Sequence, residues 1–143
     1  SSIELPGNET KYNLYDSLSH TGAELLFDVL PSILSGDLKP KPQKNSDVSY
    51  TSLLSKNDGV LDPLTDDAYA LERQVRAHLG FPKSRINVNN NDVIVTMAKV
   101  VDNQSDYPLT IACKDNTWLA LLEVTAPSGK SMSGEAYLRG YAA

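Results

Sequence analysis

Apolar residues in the first quarter of the chain recur at the spacing of an α-helix. They form one stripe at positions 14, 18, 25, 29 and 33, with positions 26, 30 and 34 alongside. This spacing predicts an amphipathic helix. We expect Asn8 or Thr10 to cap its start, Pro31 to kink or restart it, and Gly36 to end it.

A second helical stripe lies between residues 65 and 80. Acidic residues at 66 and 67 fit the first turn of a helix, where the macrodipole favours negative charge. Gly80 and Pro82 are typical of the residues that follow a helix end. The predicted buried face has helical spacing and consists of Ala68, Leu71, Val75 and Leu79.

Short runs rich in β-branched residues predict about five strands. They lie at 50–54, 85–88, 93–101, 109–113 and 118–124, with Asn-rich or Asp-rich turns between several of them. Ser133 is expected to cap a short final helix. The predicted fold is therefore mostly β with helices, a small antiparallel barrel of the OB type with one inserted helix, because closing the sheet protects its edges.

A Lys-rich and Pro-rich stretch at 37–49 separates the first helix from the strand-rich region. Pro40 and Pro42 favour extended geometry in the residues before them, so we predict a stiff linker. The predicted organisation is a terminal strand and helix at 1–36, the linker at 37–49, and the barrel domain at 50–143.

Composition narrows the class of protein. The chain has 143 residues, 41% of them hydrophobic and one of them cysteine, so an ordinary globular domain without an intrachain disulfide is expected. A reducing, cytoplasmic location and no membrane span follow as expectations. The chain starts with Ser-Ser rather than Met, and we expect it to be part of a longer protein.

The sequence lacks the usual signatures of catalytic and metal sites. His20, His78 and Cys113 do not have metal-ligand spacing, so no metal is expected. There is no nucleophile elbow and no Gly-rich phosphate loop between a strand and a helix. Cys113 falls in a strand pattern, where a buried and inert thiol is the usual outcome.

The basic residues are the better indication of function. The net charge of -5 argues against coating nucleic acid by bulk electrostatics, yet residues 64–101 carry five Lys or Arg against four acids. A local basic rim on the barrel could therefore bind nucleic acid. The candidate residues are Lys39, Lys41, Lys44, Lys56, Arg73, Arg76, Lys83, Arg85 and Lys130.

Each group of cations also has a structural alternative. The linker lysines at 39, 41 and 44 could contact phosphates or could simply keep the linker solvated. Glu72 can pair with Arg76 one turn away. Arg73 could reach Asp58 or Asp62 instead of RNA, and the loop cations could have no specific role.

Several motifs in order resemble the methionyl-tRNA formyltransferases. Residues 56–62 are similar to the family pattern Lys-x-Asp-Gly-x-Ile-Asp, with Leu61 at the Ile position. Residues 71–77 are similar to Ile-x-Arg-x-Val-Arg-Ala, and an aromatic-Pro pair follows at Phe81-Pro82. Residues 14–43 resemble the last helix of the family's catalytic domain and its linker, and residues 129–141 resemble its closing loop and helix. Pro63 stands where the family usually has Trp.

The resemblance implies transfer of a formyl group from 10-formyltetrahydrofolate to methionyl initiator tRNA. The family's catalytic motifs do not occur in this chain, so the resemblance implies a region that is inactive alone and holds no cofactor itself. It further implies that residues 1–36 end a catalytic α/β domain, that the barrel helps to bind tRNA, and that the full-length protein is monomeric.

Two other interpretations stay open. The chain could be the C-terminal domain of a related formyltransferase that acts on a sugar nucleotide or hydrolyses formyltetrahydrofolate. It could also be a stand-alone OB-type binding module, although such a module has no need of the helix at 10–35.

Overall fold

A computed structural model describes residues 2–42, 44, 46 and 48–141. The chain divides into two compact units, residues 1–53 and 54–143, which we describe separately. Positions 43, 45 and 47 of the predicted linker and the two last residues of the predicted barrel domain lie outside the described residues. The predicted domain boundaries stay predictions.

The described residues of the first unit form one α-helix, α1 (Lys11–Ser35). Thr10 caps it as expected, since its hydroxyl accepts from the main-chain N–H of Asn13 while the Asn13 side chain accepts from the N–H of Thr10. Gly36 ends it in the left-handed conformation, at φ 82°. The helix continues through Pro31 and does not restart there. Pro31 lies close to the C-terminal end, so its missing N–H removes only one late hydrogen bond.

The apolar stripe of α1 is exposed. All of α1 is described, and none of its residues is buried. Leu18 and Ile33 of the stripe are 48% and 47% exposed, and Leu34 beside it is 78% exposed. The helix itself was predicted correctly, but none of the described residues of its own unit buries its stripe.

The second unit contains the remaining elements. Their bounds are α2 (Ala68–Ala77), β1 (Ser84–Val88), β2 (Asn91–Val101), β3 (Thr110–Ala112), β4 (Trp118–Thr125), β5 (Ser131–Ser133) and α3 (Gly134–Tyr141). A short 3₁₀ turn at Lys56–Gly59 precedes them. The strands form one antiparallel sheet in the order β1-β2-β4-β3, and β5 pairs with the C-terminal end of β4. The predicted class, a small antiparallel β domain with helices, is confirmed.

Two strand predictions were wrong in detail. Residues 50–54 form no strand, and Tyr50 and Leu53 are 94% and 97% exposed. A β-rich composition was not enough there because the segment has no neighbouring strand to pair with. Conversely, β5 was predicted as a loop, since it has only three residues and follows Gly129-Lys130.

The β1–β2 hairpin has a tighter turn than the sequence suggested. Val88 pairs with Asn91, which leaves a two-residue loop instead of the predicted four-residue turn. Asn89 and Asn90 both have positive φ, 52° and 61°. Two such residues are typical of a type I′ turn, which matches the twist of the flanking strands.

Helix α2 packs its apolar face on the sheet. Ala68, Leu71 and Val75 are buried as predicted, whereas Leu79 lies beyond the end of α2 and is only partly buried. Their neighbours in one continuous core include Val93, Val95, Leu119, Leu121, Val124 and Tyr137. This packing fixes the segment that leaves α2, which carries the candidate site.

Helix α3 closes the other side of the core. Tyr137 is fully buried, and its hydroxyl donates to the carbonyl of Val88 at 3.2 Å. The Ser133 hydroxyl accepts from the N–H of Ala136 and caps α3, as predicted. None of the helices within the described residues is long and apolar enough to cross a membrane.

Candidate nucleic-acid interface

Three of the nine predicted cations line one surface cleft of the second unit. The cleft has a volume of about 310 Å³. Its lining residues are Lys56, Gly80, Phe81, Pro82, Lys83, Arg85 and Ile94. Among these described lining residues none is acidic, so the cleft favours an anion.

The cleft forms where the 3₁₀ turn meets the start of β1. The Arg85 guanidinium donates from Nη2 to the main-chain carbonyl of Lys56 at 2.7 Å. The N–H of Leu61 donates to the carbonyl of Arg85 at 2.8 Å, and Val60 forms a parallel bridge with Arg85. Arg85 therefore holds the turn against the sheet and keeps its own charge at the cleft.

The Arg85 side chain keeps a charge that no carboxylate of the described residues neutralises. Its Nε is buried and has no hydrogen-bond partner in the described structure. No carboxylate within the described residues forms an ion pair with Arg85, Lys56 or Lys83. A guanidinium charge at a cleft without a carboxylate attracts a phosphate.

Gly59 permits the close approach of the two walls. It is buried, and a Cβ at this position would overlap the main-chain carbonyl oxygen of Lys83. Only glycine lets the turn pack so close to the backbone of residues 82 and 83. This contact accounts for the glycine at position 59 of this chain.

Alternation along the chain directs an aromatic ring and two cations to the surface. Phe81 and Lys83 are exposed and Arg85 is partly exposed, whereas Pro82 and Ser84 are buried. The Phe81–Pro82 peptide bond is cis, and Lys83 has φ 69°. The N–H of Lys83 donates to the carbonyl of His78 at 3.0 Å, which ties this segment to the end of α2.

A second depression continues the cleft along the sheet. It has a volume of about 120 Å³ and shares the wall formed by Gly80, Lys83 and Ile94. Its other lining residues are His78, Leu79, Val95, Thr96 and Thr125. The two depressions meet at Gly80, Lys83 and Ile94, and we call them together the groove.

The carboxylate of Asp58, two positions after Lys56, is occupied by local hydrogen bonds. Asp58 Oδ2 accepts from the main-chain N–H of Ser55 at 2.6 Å and from its hydroxyl at 2.8 Å. These bonds, the main-chain one most of all, lower the pKa of Asp58. Asp58 thus serves the turn as a capping residue.

The remaining predicted cations do not line this cleft. Arg76 pairs with Glu72 at 2.7 Å, as predicted. Arg73 is exposed and pairs with neither Asp58 nor Asp62, so that structural alternative was wrong within the described structure. Lys130 lies in the exposed turn between β4 and β5.

The three linker lysines belong to the first unit. Lys39, Lys41 and Lys44 are exposed, and none of the three belongs to a helix or strand. Their contact with RNA and their role as solvating charges both stay predictions.

The sequence did not single out Phe81 as a binding residue. It was noted only as part of the aromatic-Pro pair. The signal that would have found it is the interleaving Phe81-x-Lys83-x-Arg85, an aromatic side chain followed by two cations at alternate positions. Aromatic residues beside cations are typical of surfaces that bind unpaired nucleic acid.

Other kinds of site find little support in the described part of the chain. No group of three or more His, Cys, Asp or Glu side chains there could hold a metal ion. Cys113 is buried, and its burial raises the pKa of the thiol, which disfavours the reactive thiolate. Ser84 Oγ lies 3.4 Å from His78 Nδ1 but is 1% exposed and donates to the carbonyl of Gln74, so it is not presented as a nucleophile.

Comparison with known proteins finds relatives that cover most of this chain. Residues 53–142 match the family described as "Formyl transferase, C-terminal domain". A methionyl-tRNA formyltransferase from Halorhodospira halophila is 38% identical over 95 residues, covering 66% of this chain and 30% of that protein. One from Agathobacter rectalis is 30% identical over 150 residues, covering 98% of this chain and 48% of that protein. The chain thus spans about half the length, or less, of these relatives.

Solved structures support the same fold. HypX from Aquifex aeolicus matches with a TM-score of 0.69 at 17% identity, covering 97% of this chain and 27% of that one. HypX in complex with tetrahydrofolic acid matches with a TM-score of 0.56 at 18% identity, covering 82% of this chain and 22% of that one. At this identity the likeness concerns the fold alone.

Proposed function

The chain belongs to the formyl transferase C-terminal domain family, and we propose that it is the tRNA-binding C-terminal region of a methionyl-tRNA formyltransferase. The observation that carries the proposal is the cleft where Lys56, Lys83 and Arg85 converge without a carboxylate among the lining residues. Three uncompensated cations around one concave surface attract the phosphates of RNA.

The proposed role of this region is affinity for the RNA and not chemistry. Relatives with similar sequences are methionyl-tRNA formyltransferases about twice as long as this chain, and the catalytic motifs expected of that family are not in this sequence. The parent enzyme would transfer a formyl group from 10-formyltetrahydrofolate to the amino group of methionyl initiator tRNA. We propose a cytoplasmic, monomeric parent protein and a region that is inactive alone.

A second candidate keeps the family and changes the substrate. The matched family is described for formyl transferases in general, so a relative whose C-terminal domain does not bind RNA is the alternative. The relatives found by sequence, at 38% and 30% identity, are both named methionyl-tRNA formyltransferase, and this favours the tRNA enzyme. The two candidates differ in one measurable property, the binding of initiator tRNA.

The test is equilibrium binding of initiator tRNA to the 143-residue chain at several salt concentrations. We expect log Kd to rise with log salt, with a slope of about 0.9 for each phosphate contacted. A Lys56→Ala, Lys83→Asn double variant should lower that slope by about 2 if each lysine contacts one phosphate. Asn is chosen at 83 because it tolerates the positive φ found there.

Lys130→Ala is the matched control, since it removes an exposed cation of the same unit outside the cleft. We expect its slope to equal that of the unmodified chain, without the fall of about 1 expected for each lysine that contacts a phosphate. Equal effects of Lys130→Ala and the double variant would show that the cleft is not the contact surface. No binding to tRNA at low salt would favour the second candidate.

The linker lysines need a separate variant. Replacing Lys39, Lys41 and Lys44 together by Ala is expected to weaken tRNA binding and to reduce its salt slope further if these residues contact phosphates. An unchanged slope would leave them with the solvating role.

A further inference from the structure

The groove contains an aromatic ring that phosphate binding does not require. Phe81 is 48% exposed and forms part of the cleft wall beside Lys83 and Arg85. Resting on the proposed function, we propose that this cleft takes one unpaired nucleotide of the RNA, with its base on the Phe81 ring and its flanking phosphates at Lys83 and Arg85.

The dimensions of the cleft favour a nucleotide over a helix. A volume of about 310 Å³ is at the low end of the range of roughly 300–1,000 Å³ for small-ligand pockets. The two faces of a base in a duplex are already covered by its neighbours, so a base must be unstacked before an aromatic side chain can cover one of them. A concave wall with an exposed ring therefore selects a single-stranded or extruded nucleotide.

Lys83 and Arg85 lie where the phosphates that flank such a nucleotide would be. Alternating burial brings Phe81, Lys83 and Arg85 to the exposed side of one short segment. The buried Nε of Arg85 has no partner, and its Nη2 is already fixed on the Lys56 carbonyl. The guanidinium is consequently pre-oriented, and phosphate binding costs little further side-chain order.

The groove continues beyond Lys83, which fits a strand and not a lone nucleotide. The neighbouring depression, lined by Thr96 and Thr125 among others, shares Gly80, Lys83 and Ile94 with the cleft. A chain that places one base on Phe81 can pass Lys83 and follow this depression. Base stacking combined with a basic groove is the usual way in which proteins bind single strands without sequence preference.

Phe81→Leu removes the aromatic ring and leaves an apolar side chain of similar size in its place. Two probes with equal numbers of phosphates are compared, an unstructured RNA oligonucleotide and a blunt-ended RNA duplex. We expect the variant to bind the single strand about 5- to 150-fold more weakly, the loss typical of one stacked base, and the duplex unchanged. Phe81→Tyr should bind the single strand as the unmodified chain does, because it keeps the aromatic face.

A spectroscopic readout separates stacking from a structural effect. An oligonucleotide that contains 2-aminopurine should lose fluorescence on binding to the unmodified chain and to Phe81→Tyr, and less on binding to Phe81→Leu. Tyr69→Leu is the matched control, since Tyr69 is an exposed aromatic residue of the same unit outside the cleft. It should bind both probes as the unmodified chain does.

The outcomes distinguish this inference from the proposed function. If Phe81→Leu binds the single strand normally while the Lys56→Ala, Lys83→Asn variant loses tRNA affinity, the cleft binds phosphates only and the nucleotide proposal is wrong. Equal weakening toward both probes would also overturn it, since that would indicate a structural role of the ring. If tRNA binding is absent altogether but Phe81→Leu still weakens the oligonucleotide, the nucleotide site stands and the tRNA assignment fails.

Discussion

Gly59 and Lys83 lie against each other through their main chains, and this contact joins the 3₁₀ turn to the segment that enters β1. A Cβ on Gly59 would overlap the Lys83 carbonyl oxygen. The contact matters for function because Lys56 and Lys83 lie on the two sides of the same junction. The shape of the basic cleft therefore depends on a residue with no side chain.

Gly59→Ala should destabilise the second unit. The new methyl group must displace backbone and not a flexible side chain, so we expect a loss of about 1–3 kcal/mol, as in other overpacked sites. Chemical denaturation followed by tryptophan fluorescence measures it. Gly140→Ala is the control, because Gly140 is helical with nothing within contact distance of a Cβ. It should be neutral or slightly stabilising, and equal stability of both variants would contradict the packing argument.

Arg85→Lys should weaken the same junction in another way. Lysine keeps the positive charge but lacks the planar fork that reaches the Lys56 carbonyl. We expect the free energy of unfolding to fall by about 1 kcal/mol, the usual net value of one hydrogen bond. Lys83→Asn removes a charge of the same cleft without breaking a side-chain hydrogen bond and should unfold like the unmodified chain. If Arg85→Lys and the unmodified chain have the same denaturation midpoint, Arg85 does not brace the junction.

Sequence periodicity predicted the elements that bury a face. Helix α2 and strands β1, β2 and β4 were found because their apolar residues repeat at helical or alternate spacing, and the core enforces that spacing. The segment at 50–54 has the composition of a strand but pairs with no strand of the described structure. In contrast, β5 pairs with β4 but is only three residues long and has no β-rich composition. Whether a short segment pairs depends on its neighbours in space, which its own residues do not reveal.

The candidate site was predictable in its residues but not in its grouping. All three cations of the cleft were among the nine predicted, yet the sequence could not separate them from Arg73, Arg76 and Lys130. Their convergence depends on a bond between Arg85 and the Lys56 carbonyl, which are 29 positions apart. It also depends on the absence of a Cβ at Gly59.

The β1–β2 turn should discriminate between residues that tolerate positive φ and those that do not. Asn90 has φ 61°. Asn90→Ala should cost about 1 kcal/mol, since a Cβ without a local hydrogen-bonding group disfavours this conformation, whereas Asn90→Gly should retain or raise stability. Thermal unfolding of the two variants measures the difference. If both have the same midpoint, the two-residue turn is not formed as described.

The capping box at Ser55 and Asp58 predicts a pH dependence. Hydrogen bonds from Ser55 lower the pKa of Asp58 in the folded protein. The unfolded value is about 3.9, so the contribution of Asp58 to stability is present above that pH and is lost as pH falls through the lower folded pKa. Asp58→Asn should flatten the stability-pH profile at its acidic end. Asp102→Asn, in the exposed loop after β2, is the control, and an equal change in both profiles would rule out the box as the cause.

Cys113 offers a direct measure of how the core opens. It is the single cysteine of the chain and is 9% exposed, with Sγ 3.6 Å from the carbonyl of Ile111. Burial raises the pKa of the thiol, so at pH 8 both access and ionisation oppose reaction in the folded protein. We expect a disulfide reagent to label the native chain at least about a hundredfold more slowly than the chain unfolded in guanidinium, which corresponds to an opening free energy of about 3 kcal/mol. Gly59→Ala should bring the labelling rates of the native and the unfolded chain closer together if the substitution also destabilises the core around Cys113. Equal labelling rates for the folded and unfolded chain would show that the thiol is exposed and that the sheet does not close over it.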